Sequence, residues 1–149
     1  MITQIFLGTV LISITVVIHA IGTISVVPKI HAATDWIFTS RGEVYRVFYT
    51  IMVVLWLFLL HTAEIWIWAV TYWRLTSLTH LPDLEAALYF STVCFTTLGF
   101  GDVVLDKDWR ILSALEAANG ILLFGWSTAF LFTVVRQTWD SSMSASAES

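Results

Sequence analysis

Cysteine occurs once, at Cys94, and proline twice, at Pro28 and Pro82. A single thiol excludes an intrachain disulfide framework and any thiolate metal cluster, and it reads as a small apolar filler in a packed helix. Charge is scarce as well: 12% of the residues carry it, with seven Lys and Arg against eleven Asp and Glu. The net charge of −4 leaves no basic surface for nucleic acid. No apolar run carries a regular arginine ladder, so nothing reads as a voltage sensor. What remains is 58% hydrophobic, with eight Trp and ten Phe, and a mean hydropathy of +0.82. These values lie outside the range of soluble domains and make a lipid bilayer the expected solvent.

Three runs are long enough to cross a hydrocarbon core about 30 Å thick, which takes about 20 helical residues. They fall at 5–27, 47–73 and 109–136. Pro28 closes the first, and Trp66, Trp68, Tyr72 and Trp73 crowd one end of the second, as aromatic side chains do at a membrane surface. A cleaved signal peptide is the competing reading of the first run. It fits poorly, because Met1 to Gln4 carry no positive charge and the run exceeds an h-region of about 7–15 residues. A shorter apolar stretch, 83–96, follows Pro82, with Asp83 placed to cap its first free amides. It cannot span, and non-spanning backbone at membrane depth survives only inside protein or beside water. The expectation is a re-entrant helix whose negative C-terminal end points into the bilayer and favours a cation.

The string Thr96-Thr97-Leu98-Gly99-Phe100-Gly101-Asp102 follows directly. Glycines at alternate positions adopt backbone angles closed to other residues, so consecutive carbonyl oxygens can turn toward one axis. Together with the Thr97 hydroxyl, such oxygens replace the water shell of an ion. A glycine-rich turn is the plain alternative. One chain supplies one such strand, so a ring of oxygens needs symmetric copies.

From about Val47 to Arg136 the chain resembles the pore module of the bacterial two-helix potassium channels, and its Thr-Thr-Leu-Gly-Phe-Gly-Asp string is also similar to filters of two-pore-domain channels. The resemblance covers roughly the last two thirds of the chain and leaves the first helix outside it. It implies an all-α membrane protein: per subunit, three transmembrane helices, a re-entrant pore helix and a filter, assembled as a homotetramer. The implied organisation is an N-terminal transmembrane helix (1–27), a cytoplasmic connecting loop (28–46), a pore module (47–136) and a disordered cytoplasmic tail (137–149). Within the module, an outer helix (47–73), pore helix (83–96), filter (97–102) and inner helix (109–136) follow in order. The implied activity is passive K+ conduction, with K+ held at Thr97, Leu98, Gly99 and Phe100 and closed off by Gly101. No enzyme activity and no cofactor beyond the filter ions are expected. Leu98, larger than the more usual Val, keeps a weakly selective cation channel as the alternative.

The same resemblance assigns filter support to Thr96, Asp102 and an aromatic cuff of Tyr89, Phe90 and Phe100. Where the family often has a Tyr and a Trp sharing a hydrogen bond, this chain has Phe100 and Phe90; where some members have a Glu paired with the filter Asp, it has Val93. Asp102 is therefore expected to pair with Trp109 or with water. Gly120 falls at the family's gating hinge, with a packing notch as the equal alternative. Ile121, Phe124, Thr128, Leu131 and Val135 share one helical stripe, matching the cavity-lining face, where large apolar groups can gate by dewetting.

Topology rests on weak charge bias. With the pore loop outside, Lys29, Arg41, Arg46 and Arg136 lie inside and Arg74, Lys107 and Arg110 outside, which places the N-terminus outside and the C-terminus in the cytoplasm of a cell with the protein in its inner (plasma) membrane. Asp83, Glu85, Asp102, Asp106 and Asp108 would give four subunits a negative mouth that concentrates cations. Lipid and K+ are the expected partners.

Ionisable groups at membrane depth are costly and are functional candidates by default. His61 and Glu64 share a face of the second run, and Glu116 and Asn119 share a face of the third. Glu64 lies about 14 Å and Glu116 about 10 Å from the outer ends of their helices. The expectation is one polar network behind the filter, reaching the pore helix through Ser91 or Thr92, either structural or responsive to protons. His19 is expected to pack or to bond a backbone carbonyl. The alternative class, an intramembrane metal enzyme built on His61, Glu64, Glu116 and a further His, lacks a repeated ligand motif and a nucleophile with a matched base.

Overall fold

The computed structural model describes residues 1–27, 43–75, 81–107 and 109–147, and these form four helices. They are α1 (Ile2–Ile24), α2 (Glu43–Arg74), α3 (Leu84–Phe95) and α4 (Arg110–Ala147). Three of them, over Ile2–Ile24, Val44–Arg74 and Arg110–Gln137, are long and apolar enough to cross a membrane. The described residues contain no strand. The expected all-helical membrane architecture is therefore present, with the additional apolar helix at the N-terminus.

Boundaries differ where the chain lacks a breaker. The outer helix begins at Glu43, inside the segment read as a connecting loop, because 43–46 contain neither Gly nor Pro. Residues 28–42 of that loop and Asp108 lie outside the described residues. The third long helix runs to Ala147, although the tail from 137 was expected to be disordered. Its Ser, Ala and Met residues again include no Gly or Pro to end a helix already nucleated upstream.

Asp83 caps α3 as its sequence position implies: its extended backbone precedes the first turn and its Oδ1 accepts the Ala86 amide at 2.8 Å. The helix is wedged among the long ones by a core that gathers Trp68 and Tyr72 of α2, Phe90 and Phe95 of α3, and Leu112 and Leu123 of α4. A second core, with Val26, Val53, Leu57, Leu60 and Val134, closes the other end.

Side-chain pairings fix the helix directions. Thr15 meets Asn119 and His19 meets Ser127, so α1 runs parallel to α4. Tyr72 meets Glu116 and His61 meets Ser127, so α2 runs antiparallel to it. The buried face of α1 is Gln4, Gly8, Leu11, Thr15, His19, Gly22 and Thr23, a stripe at helical spacing made mostly of small and polar groups. Small residues let membrane helices approach closely. A Cβ on Gly8 would strike Leu115, and one on Gly22 would strike Leu60.

Candidate functional site

The end of α3 hands over to the glycine string through its own unpaired carbonyls. The Thr97 amide donates to the Cys94 carbonyl at 2.9 Å, and the Gly99 amide donates to the Val93 carbonyl at 3.3 Å. The Thr96 hydroxyl folds back onto the Thr92 carbonyl at 2.7 Å. Beyond this, the backbone alternates. Thr97 (φ 62°), Gly99 (φ 57°) and Gly101 (φ 78°) all take the left-handed region, and Leu98 and Phe100 between them do not. Alternation of hand from residue to residue is what brings successive carbonyls onto one side of a strand, since a run of one hand would coil them into a helix. Glycine tolerates the left-handed region, whereas Thr97, β-branched, is held there at a cost of about 1–3 kcal/mol. Thr97 is the one non-glycine with positive φ among the described residues.

The side chains of the string turn outward in the single chain, Leu98 60% and Phe100 66% exposed. The expected aromatic cuff does not assemble around them within the single chain. Phe90 is buried and packs edge-on against Tyr72, ring centroids 5.1 Å apart. Tyr89 instead donates its hydroxyl to Asp102 Oδ2 at 2.7 Å, so the side-chain partner of the exposed Asp102 is Tyr89 rather than Trp109. The bond stabilises the carboxylate, holding the Asp102 pKa below its ordinary value and raising that of Tyr89. Tyr89 was expected as part of an aromatic cuff; its phenolic oxygen is what reaches the acid.

Gly120 is a packing notch. A Cβ there would strike the backbone carbonyl of Phe95, the last residue of α3. The close approach of α4 to the base of the string thus requires glycine at 120. A Cβ on Gly125 would meet nothing within 4 Å in the single chain. Ile121, Phe124 and Thr128 are exposed on α4, and Leu131 and Val135 half-buried, so the predicted stripe is largely open in one subunit.

The intramembrane polar residues divide into two clusters and a separate pair, not one network. Glu116 accepts from Tyr72 Oη at 2.8 Å and from Ser91 Oγ at 2.5 Å, and Ser91 also reaches the Ile65 carbonyl at 3.0 Å. Ser91 is the link to the pore helix; Thr92 bonds its own helix, at the Leu88 carbonyl. Glu64 belongs to a different set. His19 Nδ1 lies 2.8 Å from Glu64 Oε1, and His61 Nδ1 lies 3.1 Å from Glu64 Oε2. The second ring nitrogens of both histidines converge on Ser127 Oγ, at 2.9 Å from His61 and 3.2 Å from His19. Asn119 turns away from Glu116 and donates to Thr15 Oγ1 at 2.8 Å. The expectation that Glu64 and Glu116 meet fails because the two glutamates face different neighbours, α1 on one side and α3 on the other. His19, expected to pack or to bond a backbone carbonyl, instead pairs with the Glu64 and Ser127 side chains, and Tyr72, taken as a membrane-surface aromatic, reaches Glu116. Thr15 and Ser127 had no place in the expected network; the signal for Thr15 was the small, polar stripe on α1.

One donor from each of His19, His61 and Glu64 lies within 4.8 Å of the others, and the residue types would suit a transition metal. The spacing does not. Two ligand atoms at 2.0–2.2 Å from one zinc ion sit about 3.3 Å apart, while the nitrogen–oxygen separations of 2.8 and 3.1 Å here are hydrogen-bond lengths.

Comparison with known proteins supplies the remaining observation. The family described as Ion channel matches residues 51–137, more than half of the chain. No curated protein and no solved structure is matched.

Proposed function

We propose, from the premise that this chain belongs to the ion channel family, that it is a potassium-selective channel working as a homotetramer. The carrying observation is the alternation of backbone hand over Thr97, Gly99 and Gly101 at the C-terminal end of a re-entrant helix. Four copies of this strand about one axis bring the carbonyls of Thr97, Leu98, Gly99 and Phe100, with the Thr97 hydroxyl, around a dehydrated monovalent cation. Gly101 and Asp102 close its outer end, and Thr96 its inner end. The partial negative charge at the end of α3 favours the ion just below.

The remaining parts fall into roles around that strand. Asp83, Glu85, Asp102 and Asp106 surround the outer end and raise the local cation concentration. Ile121, Phe124, Thr128, Leu131 and Val135 face the conduit below it, where closure of a wholly apolar ring expels water and stops conduction. The exposure of this stripe in the single chain supports such a placement. The N-terminus then lies outside and the C-terminus in the cytoplasm, with the protein in the plasma membrane and no cofactor other than K+.

Flux from liposomes containing only this chain is the test, with K+ inside and Na+ as competitor. Selective K+ efflux is the expected result. Equal passage of both ions would replace the proposal with a weakly selective cation channel, which the bulk of Leu98 favours, and no flux would end it.

A further inference from the structure

His19, Glu64, His61 and Ser127 close a ring of four links: 2.8 Å from His19 Nδ1 to Glu64 Oε1, 3.1 Å from Glu64 Oε2 to His61 Nδ1, 2.9 Å from His61 Nε2 to Ser127 Oγ, and 3.2 Å from Ser127 Oγ to His19 Nε2. Each link needs one hydrogen, so the ring needs four. A carboxylate brings none, each neutral imidazole one and the hydroxyl one, which makes three. In that state one link sets two acceptors face to face and the ring holds a buried negative charge. One added proton completes the count and brings the net charge to zero. The count is the same whether the proton sits on either imidazole or on the carboxyl, because each arrangement can donate around the ring. A second added proton gives five hydrogens for four links and a positive charge.

We propose that this ring is a binding site for one proton, and that its occupancy latches α1 to α2 and α4 and regulates the pore. The four members come from three helices, and the two links through His19 hold α1, so opening either one loosens it. His19 and Glu64 are fully buried and His61 nearly so. Its other neighbours are uncharged: α4 presents the rings of Trp126, 5.7 Å from His19, and Phe124, 4.4 Å from His61, and α3 presents Phe95, 6.0 Å from His61. The buried Glu116 is engaged elsewhere, by Tyr72 and Ser91.

Access and output are both visible. A cavity of about 210 Å³ in the groove between α2 and α4, lined by Val54, Leu57 and Phe58 on one side and Phe124, Thr128 and Leu131 on the other, reaches His61 and Ser127 and gives a proton a route. His61 packs on Phe124 and Phe95, whose rings also touch each other at 5.6 Å. Phe95 ends α3, one residue before the glycine string begins. A shift of His61 on losing its partner is therefore passed by packed rings to the base of that string. The proton site stands whichever cation the pore passes.

The full chain, purified and reconstituted, is titrated across the range in which imidazoles change charge. Imidazole nitrogen spectra report whether His19 and His61 share a single one-proton step, and ion flux reports its effect. The expected result is one such step with a flux change of roughly tenfold, the size of one charge-assisted hydrogen bond. His19→Gln and Glu64→Gln each abolish the step. By the same count Ser127→Ala leaves two links, which the two neutral imidazoles already fill, so it should remove the shared step. Independent titration of the two histidines, or a flux profile that Glu64→Gln leaves unchanged, would overturn the proposal. So would equimolar zinc uptake that His19→Gln removes, which would make a metal the occupant. Because the spectra are read without flux, a silent pore leaves the proton site testable.

Discussion

Replacing Gly120 with alanine separates a notch from a hinge. In a free helix the change stabilises by about 1 kcal/mol, since alanine has the better helix propensity. In this structure the new Cβ would enter the Phe95 carbonyl, a backbone atom with no rotamer to escape into. Carbon and oxygen in ordinary contact stand about 3.5–4 Å apart, so α4 and the end of α3 must separate by on the order of 1 Å. Overpacking of this kind costs typically 1–3 kcal/mol, at least the propensity gain, and the expected net loss is about 0–2 kcal/mol. Gly125→Ala is the internal control: with nothing within 4 Å it keeps the helix gain. The propensity gain is common to both, so unfolding of the two purified variants in one detergent should differ by about 1–3 kcal/mol in free energy, with Gly120→Ala the weaker. Its ion flux should fall as well, because the displaced carbonyl belongs to the residue before the glycine string. A Gly120→Ala protein as stable as Gly125→Ala, with altered opening alone, would refute the notch and restore the hinge.

Glu116→Gln removes one of the two oxygens that accept from Tyr72 and Ser91, and because Ser91 can still donate to the Ile65 carbonyl it should cost about 0.5–1.5 kcal/mol of stability, read by thermal unfolding. Tyr89→Phe removes the bond that holds the Asp102 pKa down. A depressed carboxylate pKa contributes stability that is present at neutral pH and lost as pH falls through the folded value. The acid limit of ion flux should thus move to higher pH in Tyr89→Phe, and an unmoved limit would show that the bond is idle. Gly99→Ala, forced to φ 57°, should abolish flux with a strain of about 1–2 kcal/mol, while Leu98→Ala, at negative φ, should alter selectivity first.

The four helices were legible because each rests on local chemistry: long apolar runs for three of them, and Pro82 with the Asp83 cap for the short one. The bend of the backbone at Gly99 and Gly101 was legible for the same reason, since alternate glycines state their conformational need. Thr97 was not, because nothing in a threonine announces positive φ; the Cys94 carbonyl and the flanking strand impose it. Pairings between distant residues were the least legible. Periodicity places His61 with Glu64 on one face, but which helix meets that face is decided across 45 residues to His19 and 66 to Ser127. A reading that treated the first helix as outside the pore module had no partner to offer Glu64, and so lent it to Glu116. The start of α2 and the end of α4 were placed too short, since the apolar pattern stops at the membrane surface while the backbone continues until something breaks it.

The first helix is held by polar contacts for a physical reason. Lipid chains are as apolar as leucine, so a greasy face alone gives a membrane helix little cause to choose protein over lipid. α1 carries its selectivity in Thr15 and His19, one turn apart, each meeting a different residue of α4, while its Gly22 carbonyl accepts the Trp56 indole of α2 at 3.0 Å. Thr15–Asn119 is neutral and independent of pH, whereas the ring through His19 is complete with one proton count alone. The two contacts therefore divide the work: one fixes where α1 docks, and the other makes the tightness of docking depend on a proton. A helix added to a pore by apolar packing alone would have had no means of conveying such a change. Moving the histidine one residue along α1 would turn it about 100° off the buried stripe, leaving Glu64 paired with His61 alone and the docking insensitive to pH.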